Sequence, residues 1–321
     1  MYSNELTIAL QATQSAARLC QKVQAAVTAQ TLEKRDKSPV TVADFASQAI
    51  IARALQAAFP TIPLIAEEDS AALRSDDNQD CLREVVQLLQ DELQDSSLSA
   101  DTVCQWIDHG GASEYSDLFW TLDPIDGTKG FLRGEQYAIA LALVREGEPV
   151  CATLACPNME NADGSKGAIF TAMGSHAECV QSEGSQSSAV RVSTQTNLQE
   201  SRFCESVESA HSDHTQSKAI ASLLGIAGTP VRMDSQAKYA AVARGDAEFY
   251  LRLPTRPGYV ERIWDHAAGY AILKAAGGSI TDVDGKELDF RHGRGLEKNR
   301  GIVASNGPAH ASLIDAIAQT S

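Results

Sequence analysis

Residues 118–131 read LFWTLDPIDGTKGF, and no other stretch constrains the fold and chemistry of the chain as tightly. Leu118 to Leu122 is a short apolar run with two aromatics, suited to a buried strand, and it stops at Asp-Pro-Ile-Asp-Gly-Thr. Pro124 fixes its own φ and holds Asp123 extended, while Gly127 permits a backbone angle that side chains resist. The strand therefore delivers Asp123, Asp126 and the Ile125 carbonyl to one turn. Two carboxylates about 4 Å apart repel by roughly 1 to 4 kcal/mol. A hard divalent cation converts that repulsion into binding, because it takes carboxylate, carbonyl and water oxygens. An Asp-Pro turn capped by Asp126 and Thr128 is the structural alternative.

The chain has 321 residues, enough for one large or two ordinary domains with full cores. No apolar run approaches the length of a membrane span, and residues 1 to 30 lack the basic and apolar regions of a secretory signal. The formal charge of −15 opposes nucleic-acid binding, since no basic stripe exists to displace counterions. It also repels small anions, so an anionic substrate would need bound cations and a few local Lys or Arg. The seven cysteines form no CxxC pair and are odd in number, which points to neither a zinc site nor a complete disulfide framework. A reducing, cytoplasmic setting is expected, or an organelle if a transit peptide has been removed.

Leu6, Ala9, Leu10, Thr13, Ala16, Ala17, Cys20, Val23 and Val27 recur at helical spacing. Pro39 is expected to break the chain before a second helix from about Val42, which puts Asp44 in its first turn, a place for a simple cap. A strand over 62–66 ends in Glu67-Glu68-Asp69, and only one of the two glutamates can follow its inner face. A helix from about Asp80 to Leu93, hairpins turning near Gly147 and Gly174, and a boundary between lobes 1–185 and 186–321 follow. His176-Ala177-Glu178 has the H-x-E form of zinc deaminases but lacks the P-C-x-x-C partner. The Asp282–Glu287 stretch begins like a calcium loop without its spacing, and reads as a turn. In the second half, Ser235 and Lys238 stand at a helix N-terminus suited to phosphate, Arg252 lies on the next strand, and Asp265 opens a helix as a possible N-cap.

DPIDGT, SPVTVAD and WDHAAG together resemble the lithium-sensitive, Mg²⁺-dependent phosphatases of the inositol monophosphatase superfamily, nearest to its 3'(2'),5'-bisphosphate nucleotidases, from about Lys37 to Gly307. The resemblance implies an α+β fold layered α-β-α-β-α. It selects Glu67, Asp123, the Ile125 carbonyl, Asp126 and Asp265 as ligands of two to three Mg²⁺ ions, with Li⁺ as an inhibitor. One ion would sit on Glu67, Asp123 and Ile125, a second on Asp123, Asp126 and Asp265, and a third near Glu67. Asp44 and Thr128 would activate the attacking water. Gly127, Thr128, Ser235, Lys238, Arg252 and His211, or His214 in its place, would contact substrate. The implied reaction removes the 3'-phosphate of adenosine 3',5'-bisphosphate, with the 3'-phosphoadenylyl sulfate as a possible second substrate. An inositol polyphosphate 1-phosphatase or related sugar phosphatase is the alternative, and a silent nucleotide-binding regulator the rival from another class. A monomer acting on small molecules, without nucleic acid or membrane partners, is expected.

Overall fold

The computed structural model describes residues 2–26, 38–161, 163–181, 187–207, 214–254, 256 and 258–320. Helix α1 (Ser3–Ala26) buries Ala9, Ala12, Ala16, Ala17, Leu19 and Cys20 on one side, as its periodicity requires. Helix α2 spans Ser38–Ala58. Pro39 thus stands in its first turn, where a missing N–H costs nothing, and does not delay the helix to Val42. The earlier start moves Asp44 into the second turn, so capping does not account for it.

Strands β1 (Leu64–Ala66) and β2 (Leu118–Asp126) pair in parallel, with helices α3 (Gln79–Leu93) and α4 (Ala100–Asp108) in the connection between them. After the short helix α5 (Thr128–Leu132), an antiparallel meander follows. Its strands are β3 (Ala138–Arg145), β4 (Glu148–Glu160), β5 (Lys166–Met173), β6 (His176–Gln181) and β7 (Ser187–Ala189), which complete a seven-stranded sheet in chain order. The boundary expected between 185 and 186 falls among undescribed residues. The strand after it, β7, still pairs with β6, so the first sheet reaches Ala189.

The second sheet has five strands, β8 (Phe203–Glu205), β9 (Val231–Arg232), β10 (Phe249–Arg252), β11 (Ser279–Thr281) and β12 (Ile302–Ser305), ordered β11-β12-β10-β8-β9. Its helices are α6 (His214–Leu224), α7 (Ala237–Arg244), α8 (Ala267–Ala275) and α9 (His310–Thr320). No described helix is long and apolar enough to cross a membrane.

Strand alternation sorts the core into layers. On β3, Ile139, Leu141 and Leu143 join the cluster under α1 and α2. Ala138, Ala140, Ala142 and Val144 face the opposite way, into a cluster with α7, α8, Tyr250, Ile302 and Ala304. On the far side of the second sheet, Phe249, Leu251 and Val303 pack with Ile220, Leu313 and Ile317 of α6 and α9. Helices, sheet, helices, sheet and helices thus alternate, as the expected α-β-α-β-α arrangement requires. The small residues of β3 leave room for the alanine-rich α8 to lie close against the first sheet.

The β2–β3 register slips between Asp123, opposite Ala140, and Asp126, opposite Ala138. Three steps on one strand match two on the other, a one-residue bulge. That extra residue cancels the normal alternation and turns Asp123 and Asp126 to the same side. The Ser47 hydroxyl of α2 donates to the Pro124 carbonyl at 2.9 Å and pins the bulge. Gly127, at φ +88°, ends the strand where a Cβ would stand 2.9 Å from that of Ser235. Gly127→Ala is therefore expected to lower the melting temperature more than Gly134→Ala, which shares a positive φ but has nothing within 4 Å of its Cβ position. Equal losses in thermal unfolding would show that the approach of Ser235 exerts no constraint.

Candidate active site

The bulge opens into a cavity of about 340 Å³ between the two sheets. Its lining includes Glu67, Asp123, Ile125, Asp126, Gly127, Thr128, Ser235, Lys238, Arg252 and Asp265, ten of the residues singled out in the sequence. Five distant segments supply them: the end of β1, the β2 bulge running into α5, the start of α7, the end of β10 and the 3₁₀ turn Ile263–Asp265 before α8. Asp44 does not line the cavity. It is buried on α2, and among the described residues no hydrogen bond joins it to Thr128. His211 lies outside the described residues.

The electrostatics of the lining are unfavourable for carboxylates alone. Asp123 is 2 % exposed, and its Oδ1 is buried with no hydrogen-bond partner. Burial, then the charges of Glu67, Asp126, Asp265 and Asp44, hold its carboxyl well above the usual range. Burial and Glu68 push Glu67 up to about 7, with Asp126 adding to the effect. Asp44 is raised by burial, Glu68 and Glu67, and Asp265 by burial and Asp126. An orphaned carboxylate oxygen amid mutually repelling hard-oxygen donors fits a divalent cation and leaves Asp123 otherwise unexplained.

One trio among the described residues, Glu261, Asp265 and His266, brings its potential ligand atoms within 4.8 Å of one another. Its partners are already engaged. Glu261 accepts from Arg252 Nε at 2.9 Å and from His266 Nε2 at 3.2 Å, while His266 Nδ1 meets the Tyr239 hydroxyl at 2.9 Å. Burial raises the Glu261 carboxyl, but the His266 and Arg252 contacts overcome it and hold it at about 2. This trio is a buried support for the Asp265 turn. Asp265 itself makes no capping bond to α8, so its N-cap alternative falls away.

The opposite wall is cationic. Lys238 is buried in the first turn of α7, with its Nζ 5.2 Å from the centre of the Tyr250 ring. It makes no ion pair among the described residues, and burial lowers its pKa. Arg252 reaches the cavity already paired with Glu261 and 3.6 Å from Asp265. Ser235 adopts φ +69°, a strained angle for a side-chain-bearing residue beside a functional site.

Sequence reasoning passed over Gln236. Its backbone N–H donates to Asp126 at 2.6 Å, its Nε2 to the Trp264 carbonyl at 2.8 Å, and its Oε1 accepts from Gly269 N–H at 3.1 Å. One residue thus ties the bulge, the Asp265 turn and α7 together. Its place between Ser235 and Lys238 was the available signal.

A model of the inositol monophosphatase family matches residues 2–321. The chain belongs to that family. It is 42% identical to a 3'(2'),5'-bisphosphate nucleotidase of Oryza sativa over 98% of this chain and 94% of that protein. A Schizosaccharomyces pombe protein of the same name is 41% identical over 99% and 96%. Among solved structures, Mycobacterium tuberculosis SuhB superposes with TM-score 0.64 at 17% identity, covering 99% of this chain and 97% of that one. An Anabaena inositol monophosphatase gives 0.61 at 20%, covering 98% and 96%. These structural likenesses support the layered α+β fold. The family is generally metal-dependent.

Because the folded-state pKa of Glu67 is raised from 4.5 to about 7, its protonated form stabilises the metal-free fold below pH 4.5, and that contribution is lost as pH rises through 7. In EDTA the melting temperature is expected to fall by roughly 5 °C between pH 5 and 7.5, and Mg²⁺ is expected to remove most of that slope. A flat profile in EDTA, followed by differential scanning fluorimetry, would contradict the repulsion described here.

Proposed function

We propose that this protein is a Mg²⁺-dependent phosphomonoesterase that removes the 3'-phosphate of adenosine 3',5'-bisphosphate, giving AMP. The carrying observation is the polarity of this cavity. Asp123, one of whose carboxylate oxygens is buried without a hydrogen-bond partner, lines it from the bulge, and Lys238, without an ion pair among the described residues, lines it from α7. Such a space suits cations at one end and a second anionic group at the other. Identity of about 40% with nucleotidases over nearly the whole chain gives that second group its chemical class.

In this reading Glu67, Asp123, the Ile125 carbonyl, Asp126 and Asp265 hold two to three Mg²⁺ ions. When bound, these ions neutralise the phosphoryl oxygens and acidify water. The family resemblance gives Asp44 and Thr128 as the pair that activates the attacking water; Thr128 lines the cavity and would fix the water's approach, while Asp44 is buried on α2 outside the lining. Ser235 and Lys238 receive the 5'-phosphate, with Gly127 and Thr128 against the reacting phosphate. Arg252, shared with Glu261 and Asp265, contributes less free charge than Lys238. Li⁺ inhibits by taking a cation position.

Asp123→Asn is expected to abolish phosphate release at saturating Mg²⁺ while leaving the metal-free fold at least as stable as the wild type, since one buried charge has gone. Retained turnover would exclude the assignment. Lys238→Met is expected to raise KM for adenosine 3',5'-bisphosphate about 10- to 100-fold, the size of one charged hydrogen bond, with a much smaller effect on a nucleoside 3'-monophosphate. Faster turnover of inositol 1,4-bisphosphate than of the nucleotide would instead favour a sugar phosphatase.

A further inference from the structure

The cavity needs Glu67 and Asp265 on facing sides, yet they come from β1 and from the turn before α8, nearly 200 residues apart. We propose that Arg294 is the positioning residue that sets this pair, an inference that rests on the metal reading above. Its Nη2 donates to the carbonyl of Ala66 at 2.7 Å and to that of Glu67 itself at 3.4 Å, and its Nη1 donates to Ala112 at 3.3 Å. The Glu67 N–H is held separately by Leu122 of β2 at 3.2 Å, so the residue is clasped on both sides of its Cα.

The same guanidinium lies 4.5 Å from the centre of the Trp264 ring, the residue before Asp265. The main chain of Arg294 completes the link: its carbonyl accepts from Ile263 N–H at 3.2 Å, and Leu296 N–H donates to Glu261 at 2.9 Å. One planar fork thus grips the backbone of one ligand segment while its charge lies over the Trp264 ring of the other. A lysine could reach one carbonyl, but it could not fork between three.

Arg294→Gln is expected to weaken Mg²⁺ binding about 10- to 100-fold, the usual effect of losing a group that orients a metal ligand. The measurement is isothermal titration calorimetry with MgCl₂ alone, paired with the Mg²⁺ concentration for half-maximal phosphate release, which should shift in parallel. Arg294→Lys should recover only part of the loss. Arg262→Gln serves as control, because Arg262 also lies over Trp264, at 5.8 Å, but makes no hydrogen bond to the β1 carbonyls among the described residues; it should bind Mg²⁺ within about twofold of wild type. Wild-type affinity in Arg294→Gln would overturn the inference, as would equal losses in Arg262→Gln. If Arg294→Gln does not fold, Arg294→Lys decides, and wild-type affinity there overturns it. Wild-type protein that takes up no Mg²⁺ would instead overturn the metal reading itself.

Discussion

Everything in the site depends on a single slip in the β2–β3 ladder. A regular strand would send Asp123 and Asp126 to opposite faces of the sheet, one into the core and one into the space between the layers. The extra residue at Pro124-Ile125 brings both to one face. The rest of the scaffold then has to tolerate what the bulge creates: like charges driven together in a place that water reaches poorly. Mutual repulsion of this kind is a stress on the empty fold, and it marks the place as one shaped for a ligand and not for maximal stability.

The structure manages that stress with supports that are themselves charged or polar, and fully engaged. Ser47 holds the bulge from α2, Gln236 bridges Asp126 to the Asp265 turn, and the chain Arg252, Glu261, His266 and Tyr239 stiffens the ground beneath Asp265. Each of these groups lies between two secondary elements. Their common effect is to exchange the freedom of separate segments for a fixed geometry, which is what a preorganised site requires.

Much of this was legible in the residues. DPIDGT announces a strand ending in paired acids because proline, glycine and aspartate each restrict the backbone in a known way, and the alternation of alanine with larger apolar residues in β3 foretells a strand buried on both faces. The metal-ligand candidates came from motif resemblance, and the fold brings them to one cavity. What local patterning could not reach was long-range. Arg294 resembles any surface arginine in a glycine-rich loop until β1 is placed beside it, and Gln236 resembles an ordinary helix opening until Trp264 is. The start of α2 is hidden because proline reads as a breaker in sequence, although in a first turn it has no hydrogen bond to break.

The central layer carries one further implication. Gly269 of α8 sits so close to Tyr239 of α7 that a Cβ there would stand 2.2 Å from the tyrosine ring. The two helices are in effect one solid block, with Lys238 on one half and Asp265 leading into the other. Neither helix can shift against the other without a clash at that contact, so the Lys238 wall and the Asp265 wall of the cavity keep a fixed spacing.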